Sequence, residues 1–443
     1  MIVLGIDIGT SSIKICLYDT AKECIIHSSS KNHDAHIKGL NPHYHEQEPK
    51  TILECLFTLI NEIQIPSLDL IRIAGQMHGI VFWNSSTLKV STLITWMDQR
   101  CDKNFLESLN TPYNLSTGYG CATLAWLYKH KRDLLSDFTN CGTVMDYIVC
   151  CLSQNFSNVF MSDQNAKSFG CYNDKYECFE LPFLCPSLQN MMPAIVKSDY
   201  IVGTTLNTNI IDGVNIMVSI GDLQASLSVI PIDTKAAFIS IGTSAQISFL
   251  STNSVLNLGQ RRCLILNHFI NSYKCWTGAA INGGNSLSSF INMIVNLNGQ
   301  VSRIPNNNLN DDTSQLWGQL LDCNKDKSSV TCDSLFLPER ILDNCHDGAS
   351  FRGIKEDTTL QEIFIGIASK VVLQLNDMMS EQFLLEMGIN KVYLVGKAAR
   401  PLFMIQIRKC YPNIELITED TLKNNIKFDA ACGAALFDKN III

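Results

Sequence analysis

The sequence lacks several short motifs that would assign it directly to an enzyme class. It contains no C-x-x-C pair and no Walker A, G-x-G-x-x-G, H-E-x-x-H or G-x-S-x-G motif. These absences exclude a P-loop, a dinucleotide fold, a zincin and an α/β-hydrolase. No run of 18 uninterrupted apolar residues occurs either, so we expect no membrane-spanning helix.

Charge is also scarce, because charged residues make up only 17% of the 443 and hydrophobic residues 46%. This balance is typical of a globular protein, and the length favours two domains of about 200 residues each. The net charge of −8 argues against nucleic acid or an anionic membrane as the main partner. Met1 runs directly into the first predicted strand without a basic leader, so we expect a cytosolic (cytoplasmic) protein.

The 18 cysteines suggest neither a disulfide framework nor a clear metal site. Cys171, Cys178 and Cys185 are spaced by seven, which invites a metal-binding interpretation. Pro182 and Pro186 disfavour a single helix there, so we expect free thiols.

One stretch near the start of the chain has a second copy at mid-chain. Residues 5–17 (GIDIGTSSIKICL) and 238–250 (FISIGTSAQISFL) are identical at six of thirteen positions, at a constant offset of 233 residues. Each copy is typical of a strand, a glycine turn and a second strand. A repeated I-G-T-S core predicts two similar α/β domains, 1–231 and 232–443. A last helix over 429–437 is expected to pack back across the hinge between them.

The turn of such a hairpin is suited to binding anions. Gly9 lets the backbone approach a ligand, and the hydroxyls of residues 10–12 join a row of backbone N–H donors. One hairpin on each side of a cleft could hold the two ends of a polyphosphate. The copies differ at Asp7, which is Ser240 in the second, and a carboxylate beside phosphates requires a divalent cation between them. Asp7 is therefore a candidate Mg²⁺ ligand, the alternative being an ordinary turn aspartate.

Two polar segments between apolar runs are candidates for a polyol pocket. Gln76 and His78 lie between two predicted strands and are flanked by glycines. Burying such side chains without partners costs free energy, which favours a ligand there. Further along, Trp96 and Asp98 offer an apolar plate and a hydroxyl acceptor, although Asp98 and Arg100 could simply pair with each other.

Asp222 is the candidate general base. The predicted strand 216–220 ends at Gly221, and Asp222 follows at its tip, at the start of a helix. Acids at the carboxyl ends of strands are where α/β proteins place chemistry. The alternative is that Asp222 only caps the helix, but its position just before the second hairpin favours the base.

Other patterns predict local structure. Pro49 should begin a helix, residues 360–387 show the longest helical pattern, and 161–173 (MSDQNAKSFGCYN) is typical of a polar loop followed by a short strand. Residues 302–315 are expected to form an exposed loop.

Taken together, these motifs resemble the FGGY carbohydrate kinases over nearly the full length of the chain. The stretches that carry the resemblance are DIGTSSIK (7–14), EQEP (46–49), IGDLQAS (220–226), ISIGTSA (239–245), NGGN (282–285), PER with SFRGI (338–354) and AACGAAL (430–436). The resemblance implies a duplicated actin/hexokinase-like (ribonuclease H-like) fold with a central cleft. GQMHGIVFW (75–83), TWMDQR (95–100), GYGCATLAWL (118–127) and MSDQNAKSFGCYN (161–173) look closer to kinases of a seven-carbon ketose.

The resemblance implies ATP-dependent phosphorylation of a ketose, in first place sedoheptulose, with ATP and Mg²⁺ as cofactors and a xylulose kinase as the alternative. Asp7 would organise Mg²⁺, and Asp222 would take the proton of the sugar's terminal hydroxyl. The sugar would be bound by Gln76, Met77, His78, Trp96, Asp98 and Asp222. The nucleotide phosphates and adenosine would be bound by Gly9, Thr10, Ser11, Ser12, Lys14, Gly242, Thr243, Ser244, Gly283, Gly284, Gly396, Lys397 and Ala398.

One segment departs from the family pattern. The family usually has three glycines and an alanine against adenosine, where this chain has Gly396-Lys397-Ala398-Ala399-Arg400. Lys397 and Ala398 narrow the room for adenine and ribose, and Lys397 could contact phosphate instead. A second hypothesis is therefore a sugar-binding sensor of the same fold with weakened catalysis. Retention of Asp7, Asp222 and both G-T-S turns favours the kinase.

Overall fold

The chain folds into two compact units. Unit 1 consists of Met1–Ile232, Asn267–Ser272 and Asn424–Ile443, and unit 2 of Asp233–Leu266 and Tyr273–Lys423. The roles predicted for the two halves and their division at residue 231 stay predictions. This computed structural model describes residues 1–63, 67–181, 186–208, 210–230, 232–252, 264–270, 272–302, 317–337, 339, 348–421 and 427–437.

Unit 1 is built on a seven-stranded sheet with the order β13-β14-β5-β1-β2-β3, to which β15 adds beside β5. Its strands are β1 (Ile2–Ile8), β2 (Ser12–Asp19), β3 (Cys24–Asn32), β4 (Glu46–Gln47), β5 (Leu70–Gly75), β6 (Val81–Trp83), β7 (Leu93–Ile94), β8 (Asn140–Gly142), β9 (Phe160–Ser162), β10 (Tyr172–Asn173), β11 (Cys178–Phe179), β12 (Ala194–Val196), β13 (Ile201–Thr204), β14 (Asn215–Met217) and β15 (Ile220–Gly221). The first helices of the chain, all in unit 1, are α1 (Pro49–Asn61), α2 (Lys103–Ser108), α3 (Gly120–His130), α4 (Arg132–Leu135), α5 (Val144–Ser153), α6 (Asp163–Phe169), α7 (Pro186–Gln189) and α8 (Asp222–Leu227).

Unit 2 is built on a six-stranded sheet with the order β18-β19-β17-β16-β22-β23. The strands numbered after β15 are β16 (Ala236–Ile241), β17 (Ala245–Ser251), β18 (Leu264–His268), β19 (Lys274–Ala280), β20 (Thr331–Ser334), β21 (Ser350–Arg352), β22 (Lys391–Gly396) and β23 (Glu415–Ile417). The remaining α-helices are α9 (Gly284–Ser302), α10 (Leu360–Met378), α11 (Glu381–Glu386), α12 (Pro401–Cys410) and, in unit 1, α13 (Ala430–Leu436); short 3₁₀ helices span Lys397–Ala399 and Glu419–Thr421.

The two main sheets share one layout. In unit 1, β1 pairs antiparallel with β2 and parallel with β5, with Ile8 opposite Gly75. In unit 2, β16 pairs antiparallel with β17 and parallel with β22, with Ile241 opposite Gly396. The repeated hairpin therefore belongs to a repeated sheet, as the sequence predicts, and Gly396 is the counterpart of Gly75.

The two hairpin turns differ in length by one residue. Residues 9–12 separate the last pair of β1 and β2, whereas residues 242–244 separate the last pair of β16 and β17. A backbone hydrogen bond closes each turn, from Gly9 to Ser12 at 3.0 Å and from Gly242 to Ser244 at 2.9 Å. The repeat is thus close but not identical at the turn that is predicted to bind phosphate.

Apolar side chains cover both faces of the unit 1 sheet. Alternate residues of β1, among them Ile6, pack with Ile52 and Leu56 of α1, because successive side chains of a strand point to opposite faces. On the other face, Val3 packs with Ala431 of α13. Helix α1 begins at Pro49 as predicted. Burial on both faces explains why β1 reads as an almost continuous apolar run.

Three local predictions were wrong. The pattern over 360–387 forms two helices. The first ends at Met378, and Ser380 caps the second by accepting a hydrogen bond from the Phe383 N–H. The polar segment 161–173 contains helix α6, capped by Ser162. The strand predicted over 216–220 is interrupted, because Ser219 binds other side chains instead of continuing the ladder.

Some sequence predictions lie wholly or partly outside the described residues. These are the exposed loop at 302–315, the thiol of Cys185 and most of the PER segment. Cys171 and Cys178 are free thiols. Over the described ranges, no helix is both long and apolar enough to cross a bilayer.

Helix α13 lies close against β1 and α8 at positions where only glycine fits. A Cβ atom on Gly5 of β1 would lie 2.1 Å from the Ala431 carbonyl oxygen, and one on Gly433 would lie 1.7 Å from that of Ala225. Such distances are far inside van der Waals contact, so the small residues of α13 are required for its packing.

We expect Gly5→Ala to lower the free energy of unfolding of unit 1 by at least about 1–3 kcal/mol, the usual cost of overpacking a core. Thermal unfolding followed by circular dichroism measures the loss. Gly203→Ala on β13 is the control, because its added Cβ would make only an ordinary contact at 3.4 Å. Equal midpoints for the two variants would contradict the packing argument.

Candidate active site

Three parallel strand ends of unit 1 bring the candidate residues to one edge of the sheet. β1, β5 and β15 run parallel, with Gly75 opposite both Ile8 and Gly221. The residue after each strand is therefore a neighbour of the others: the turn beginning at Gly9, then Gln76, then Asp222. This arrangement is the one in which α/β sheets place their ligands.

Asp222 is the first residue of α8, and Gly221 occupies the cap position. The Asp222 Oδ1 atom accepts a hydrogen bond from the Leu223 N–H at 2.8 Å. Burial and the nearby negative charge of Asp7 raise the pKa of Asp222 to about 7. A carboxylate with such a pKa can exchange a proton near neutral pH, which a general base must do.

Asp7 is a buried carboxylate with one unsatisfied oxygen. Lys14, its pair across the β1–β2 ladder, lies 3.4 Å from Oδ2. Oδ1 is buried and has no hydrogen-bond partner in the described part of the chain. Burial raises the pKa of Asp7 despite the opposing effect of Lys14, and Asp429 raises it further. A second positive charge at Oδ1 would relieve this electrostatic cost.

These oxygens fit a magnesium ion that keeps most of its waters. Mg²⁺ commonly binds proteins through one or two carboxylates, with substrate phosphates completing its coordination. Asp7 offers the oxygen that lacks a protein partner. Asp222 and Asp429 lie close enough to interact electrostatically with the Asp7 carboxylate. Within the described ranges no group of three His, Cys, Asp or Glu side chains could enclose a metal. The chemistry of the site thus suits Mg²⁺ in company with phosphate.

A chain of hydrogen bonds joins Gln76 to the first hairpin. The Gln76 amide donates to Gln47 Oε1 at 3.0 Å, and Gln47 Nε2 donates to the Thr10 carbonyl at 2.6 Å. The Trp96 indole donates to Thr10 Oγ1 at 2.8 Å. Gln76 Oε1 is buried without a hydrogen-bond partner among the described residues, so it can accept from a ligand hydroxyl.

Met77 and His78 lie beside the same strand ends. The Met77 sulfur fills the space above Gly221, only 2.4 Å from where a Cβ would be. His78 has a φ of 74°, which is costly for a residue other than glycine. Its Nδ1 donates to the Ser168 carbonyl at 2.6 Å, and its ring stacks on Tyr119 at 4.6 Å. His78 is thus held firmly in a strained conformation, a feature that clusters at functional sites.

Asp98 is sealed in an ion pair. Oδ1 accepts from the Arg100 Nε at 2.7 Å and from the Arg100 backbone N–H at 3.0 Å, and Oδ2 accepts from Arg100 Nη2 and the His45 N–H, both at 2.8 Å. Arg100 also binds Glu46 at 2.6 Å. Asp98 is 1% exposed, so the pairing that the sequence left open is present, and both oxygens are already occupied. This geometry favours a structural role over sugar binding.

The second hairpin is covered by the NGGN turn at the start of α9. The Gly284 N–H donates to the Gly242 carbonyl and the Asn285 N–H to the Thr243 carbonyl, each at 3.0 Å. A Cβ on Gly283 would lie 2.3 Å from the Ser244 carbonyl carbon. The glycines of this turn therefore allow the backbone of α9 to lie directly on the hairpin.

Lys397 reaches the same place from the end of β22. It begins the 3₁₀ turn Lys397–Ala399, directly after Gly396, which has a φ of 64°. Its Nζ lies only 2.9 Å from where a Cβ of Gly284 would be. The predicted residues Gly242, Gly284 and Lys397 are thus brought together, with an ammonium group beside the second hairpin.

Sequence analysis missed residues that support the first hairpin. Gln47 lies in the EQEP stretch, whose likeness to the family was noted without a role. His33 donates from Nε2 to the Gly9 carbonyl at 3.1 Å, and burial lowers the pKa of this histidine. Asp429 caps α13 and lies near Asp7 and Lys14. For His33 and Asp429 no local pattern pointed to the hairpin.

Comparison with known proteins identifies relatives for the whole chain. The N-terminal domain of the FGGY family of carbohydrate kinases matches residues 2–228. The sedoheptulokinase of Homo sapiens is 27% identical over 477 aligned residues, covering 98% of this chain and 96% of that protein.

Solved structures share the fold. A ligand-bound xylulose kinase from Lactobacillus acidophilus superimposes with a TM-score of 0.72 at 16% identity, covering 100% of this chain and 89% of that one. A Plasmodium falciparum glycerol kinase with ADP has a TM-score of 0.71 at 18% identity, covering 99% of this chain and 89% of that one. The predicted actin/hexokinase-like fold is confirmed.

We expect Asp98→Asn to destabilise the protein, because the buried Arg100 guanidinium would lose one of its two carboxylate partners and keep only Glu46. The free energy of unfolding should fall by about 3–5 kcal/mol, as for other broken buried pairs. Chemical denaturation measures this loss. Asp137→Asn is the control, since its pair with Lys89 is exposed and should contribute less than about 1 kcal/mol. A stable Asp98→Asn protein with weakened sugar binding would restore Asp98 to the sugar pocket.

Proposed function

The chain belongs to the FGGY family of carbohydrate kinases, and from this premise we propose that it transfers the γ-phosphate of ATP to the terminal hydroxyl of a ketose. The proposed acceptor is sedoheptulose, and the product is sedoheptulose 7-phosphate. The observation that carries the proposal is the position of Asp222. It lies at the tip of β15, beside Gln76, with its pKa raised to about 7 by burial and by Asp7.

In the proposed reaction, Asp222 accepts the proton of the sugar hydroxyl. The hydroxyl oxygen then forms its bond to the γ-phosphorus while the bond from that phosphorus to the β–γ bridging oxygen breaks, and ADP leaves. Phosphoryl transfer requires positioning and charge neutralisation more than covalent catalysis. A single base and a set of well-placed phosphate ligands are therefore sufficient for this chemistry.

Asp7 is the proposed Mg²⁺ ligand, through the oxygen that lacks a protein partner. The bound ion would neutralise charge on the phosphates during transfer. Lys14 partly balances the Asp7 carboxylate, and the turn at Gly9–Ser12 offers its backbone and hydroxyl groups to phosphate.

The second hairpin is proposed to hold the β- and γ-phosphates of the donor. Gly242, Thr243 and Ser244 form its turn, and Lys397 places an ammonium group beside it. Lysine binds phosphate as a compact point charge, so this residue can compensate for the glycines that the family usually has there. Gly396 and Ala398, which flank Lys397, remain the proposed adenosine contacts.

Substrate preference rests on the relatives and on the pocket motifs. The sedoheptulokinase of Homo sapiens is 27% identical over 98% of this chain, against 23% over the same share for a xylulose kinase of Staphylococcus xylosus, and this difference supports the seven-carbon sugar. Gln76, Met77, His78 and Trp96 are the proposed sugar contacts, and Gln76 Oε1 can accept a hydrogen bond from a sugar hydroxyl. Xylulose kinases share the fold, so xylulose is the alternative substrate.

A sugar sensor with weakened catalysis is the second candidate function. Lys397 and Ala398 replace glycines that the family resemblance leads one to expect against adenosine, and this substitution favours weaker nucleotide binding. The pKa of Asp222 favours the kinase, because a sensor needs no proton acceptor at a strand tip.

The substrate panel is the primary test. The purified protein is assayed for ATP consumption with sedoheptulose, xylulose, ribulose and glycerol in the presence of Mg²⁺. Sedoheptulose should give the highest kcat/KM. If xylulose or glycerol is better by about tenfold, equivalent to 1.4 kcal/mol, the sedoheptulose assignment is wrong and the family assignment stands. Sugar binding by calorimetry without turnover would favour the sensor.

The general base gives a pH-dependent prediction. Because burial raises the pKa of Asp222, this group is protonated and inactive at low pH, and kcat/KM should rise with pH; the charge of Mg²⁺ at Asp7 would place this rise below the value of about 7 that holds without the metal. Asp222→Asn should lower kcat by about 10²- to 10⁴-fold with little change in sugar affinity. Retention of more than about a tenth of kcat would show that Asp222 is not the base.

A further inference from the structure

A loop between two strands of the second sheet packs in unit 1. It begins with the last two residues of β18 and ends before β19, and residues Asn267–Ser272 belong to unit 1 although the rest of both strands belongs to unit 2. Phe269 and Ile270 are buried there, at 3% and 2% exposure, and the Phe269 ring lies 6.3 Å from that of Phe437. An apolar pair buried this deeply makes the loop part of the unit 1 core.

Two buried glutamines hold the backbone of this loop. Gln164 of α6 donates from Nε2 to the Phe269 carbonyl at 2.6 Å, and Gln224 of α8 donates to the His268 carbonyl at 3.3 Å. Both glutamines are fully buried. Gln224 lies two residues after Asp222 on the same short helix, so a shift of the loop backbone moves the helix that carries Asp222.

The His268 ring fixes the loop from the other side. Its Nδ1 lies 3.2 Å from Asp163 Oδ2, and its Nε2 lies 2.8 Å from Asp174 Oδ1. Each ring nitrogen therefore lies within hydrogen-bond distance of a carboxylate, so the two acids fix both edges of the ring. Hydrogen bonds to an ionised acceptor such as a carboxylate are about twice as strong as neutral ones. His268 therefore clamps the loop between two acids.

The helix that carries Asp163 is also hydrogen-bonded to the backbone just before β15, the strand that precedes Asp222. Asp163 begins α6, and Asn165 on the same helix donates from Nδ2 to the Ser219 carbonyl at 3.2 Å. Ser219 in turn donates to Asp146 at 2.7 Å, and it lies three residues before Asp222. The backbone on both sides of Asp222 is thus connected to elements that His268 holds.

We propose that His268 is a positioning residue: by clamping the Asn267–Ser272 loop to Asp163 and Asp174, it fixes helix α8 and aims the Asp222 carboxylate at the sugar hydroxyl. The inference rests on the proposed function for its effect on turnover. Its structural part, the immobilisation of α8, does not depend on the identity of the substrate.

His268→Gln tests the clamp, because glutamine can donate to one acid but carries no charge. Amide hydrogen exchange should become faster in Asp222–Leu227, and kcat should fall by about 10- to 100-fold, the cost of a misplaced reacting group. Sugar affinity should stay within about twofold, since the Gln76 contacts are untouched. His268→Arg, whose guanidinium fork can donate to both acids, should recover most of the rate.

His130→Gln is the matched control. His130 lies at the exposed end of α3 and binds the Trp126 carbonyl, so its loss should change neither α8 exchange nor kcat. If His268→Gln folds poorly, Asp174→Asn removes the charge of the more exposed acid, which also pairs with Lys167, and should show the same changes in smaller degree.

Two results separate this inference from the proposed function. Unchanged exchange in α8 of His268→Gln overturns the positioning role, whatever sugar is phosphorylated. Faster exchange together with an unchanged kcat also overturns it, provided that Asp222→Asn has lost activity. If Asp222→Asn keeps its activity, the base assignment fails, and with it the claim that the clamp aims a base.

Discussion

The parallel pairing of β1 with β5 is the constraint on which the candidate site depends. A parallel pair must be joined by a long crossover, and it places the carboxyl ends of both strands at one edge of the sheet. With Ile8 opposite Gly75 and Gly75 opposite Gly221, the register determines which side chains meet there. Gln76 and Asp222 become neighbours although 146 positions separate them in the sequence. A shift of one residue would turn each of these side chains to the other face.

Both sheets contain the same parallel strand pair, but they carry different side chains at equivalent positions. Asp7 corresponds to Ser240 by the repeat offset, so only one hairpin carries the acid that would bind a metal. Gln76 follows Gly75 as Lys397 follows Gly396, each at the end of the strand beside its hairpin. An amide suits hydroxyl groups and an ammonium group suits phosphate. Under the proposed function, the two copies of the fold would therefore bind different ligands, the sugar in unit 1 and phosphate in unit 2, without any change in topology.

Sequence alone predicted the parts of this site that local patterns determine. The two hairpins follow from the repeated I-G-T-S core, and the place of Asp222 follows from the rule that strand ends carry chemistry. The pairing of Asp98 with Arg100 could only be left open, because it depends on whether the fold excludes water from the carboxylate and brings Glu46 to Arg100. The sequence predicts a loop where helix α6 lies, because its buried polar side chains hydrogen-bond to groups that are distant in the sequence, such as Ser219 and Phe269. The His268 loop gave no signal at all, because its binding partners lie about 100 residues away.

The carboxylates of Asp7, Asp98 and Asp222 differ in how well hydrogen-bond donors and positive charges compensate their negative charge. Asp98 accepts four hydrogen bonds, two of them from a guanidinium, and its charge is fully compensated. Asp7 is buried and Asp222 is half-buried, and both have too few donors, so their pKa values rise and their ionised forms destabilise the folded state. That destabilisation grows as the pH rises, because the folded state releases these protons later than the unfolded chain does. A protein selected for stability alone would pair such groups as it pairs Asp98. Since a metal ion and a proton are the two partners that these carboxylates can still accept, the uncompensated charge is itself the argument for catalysis at this edge of the sheet.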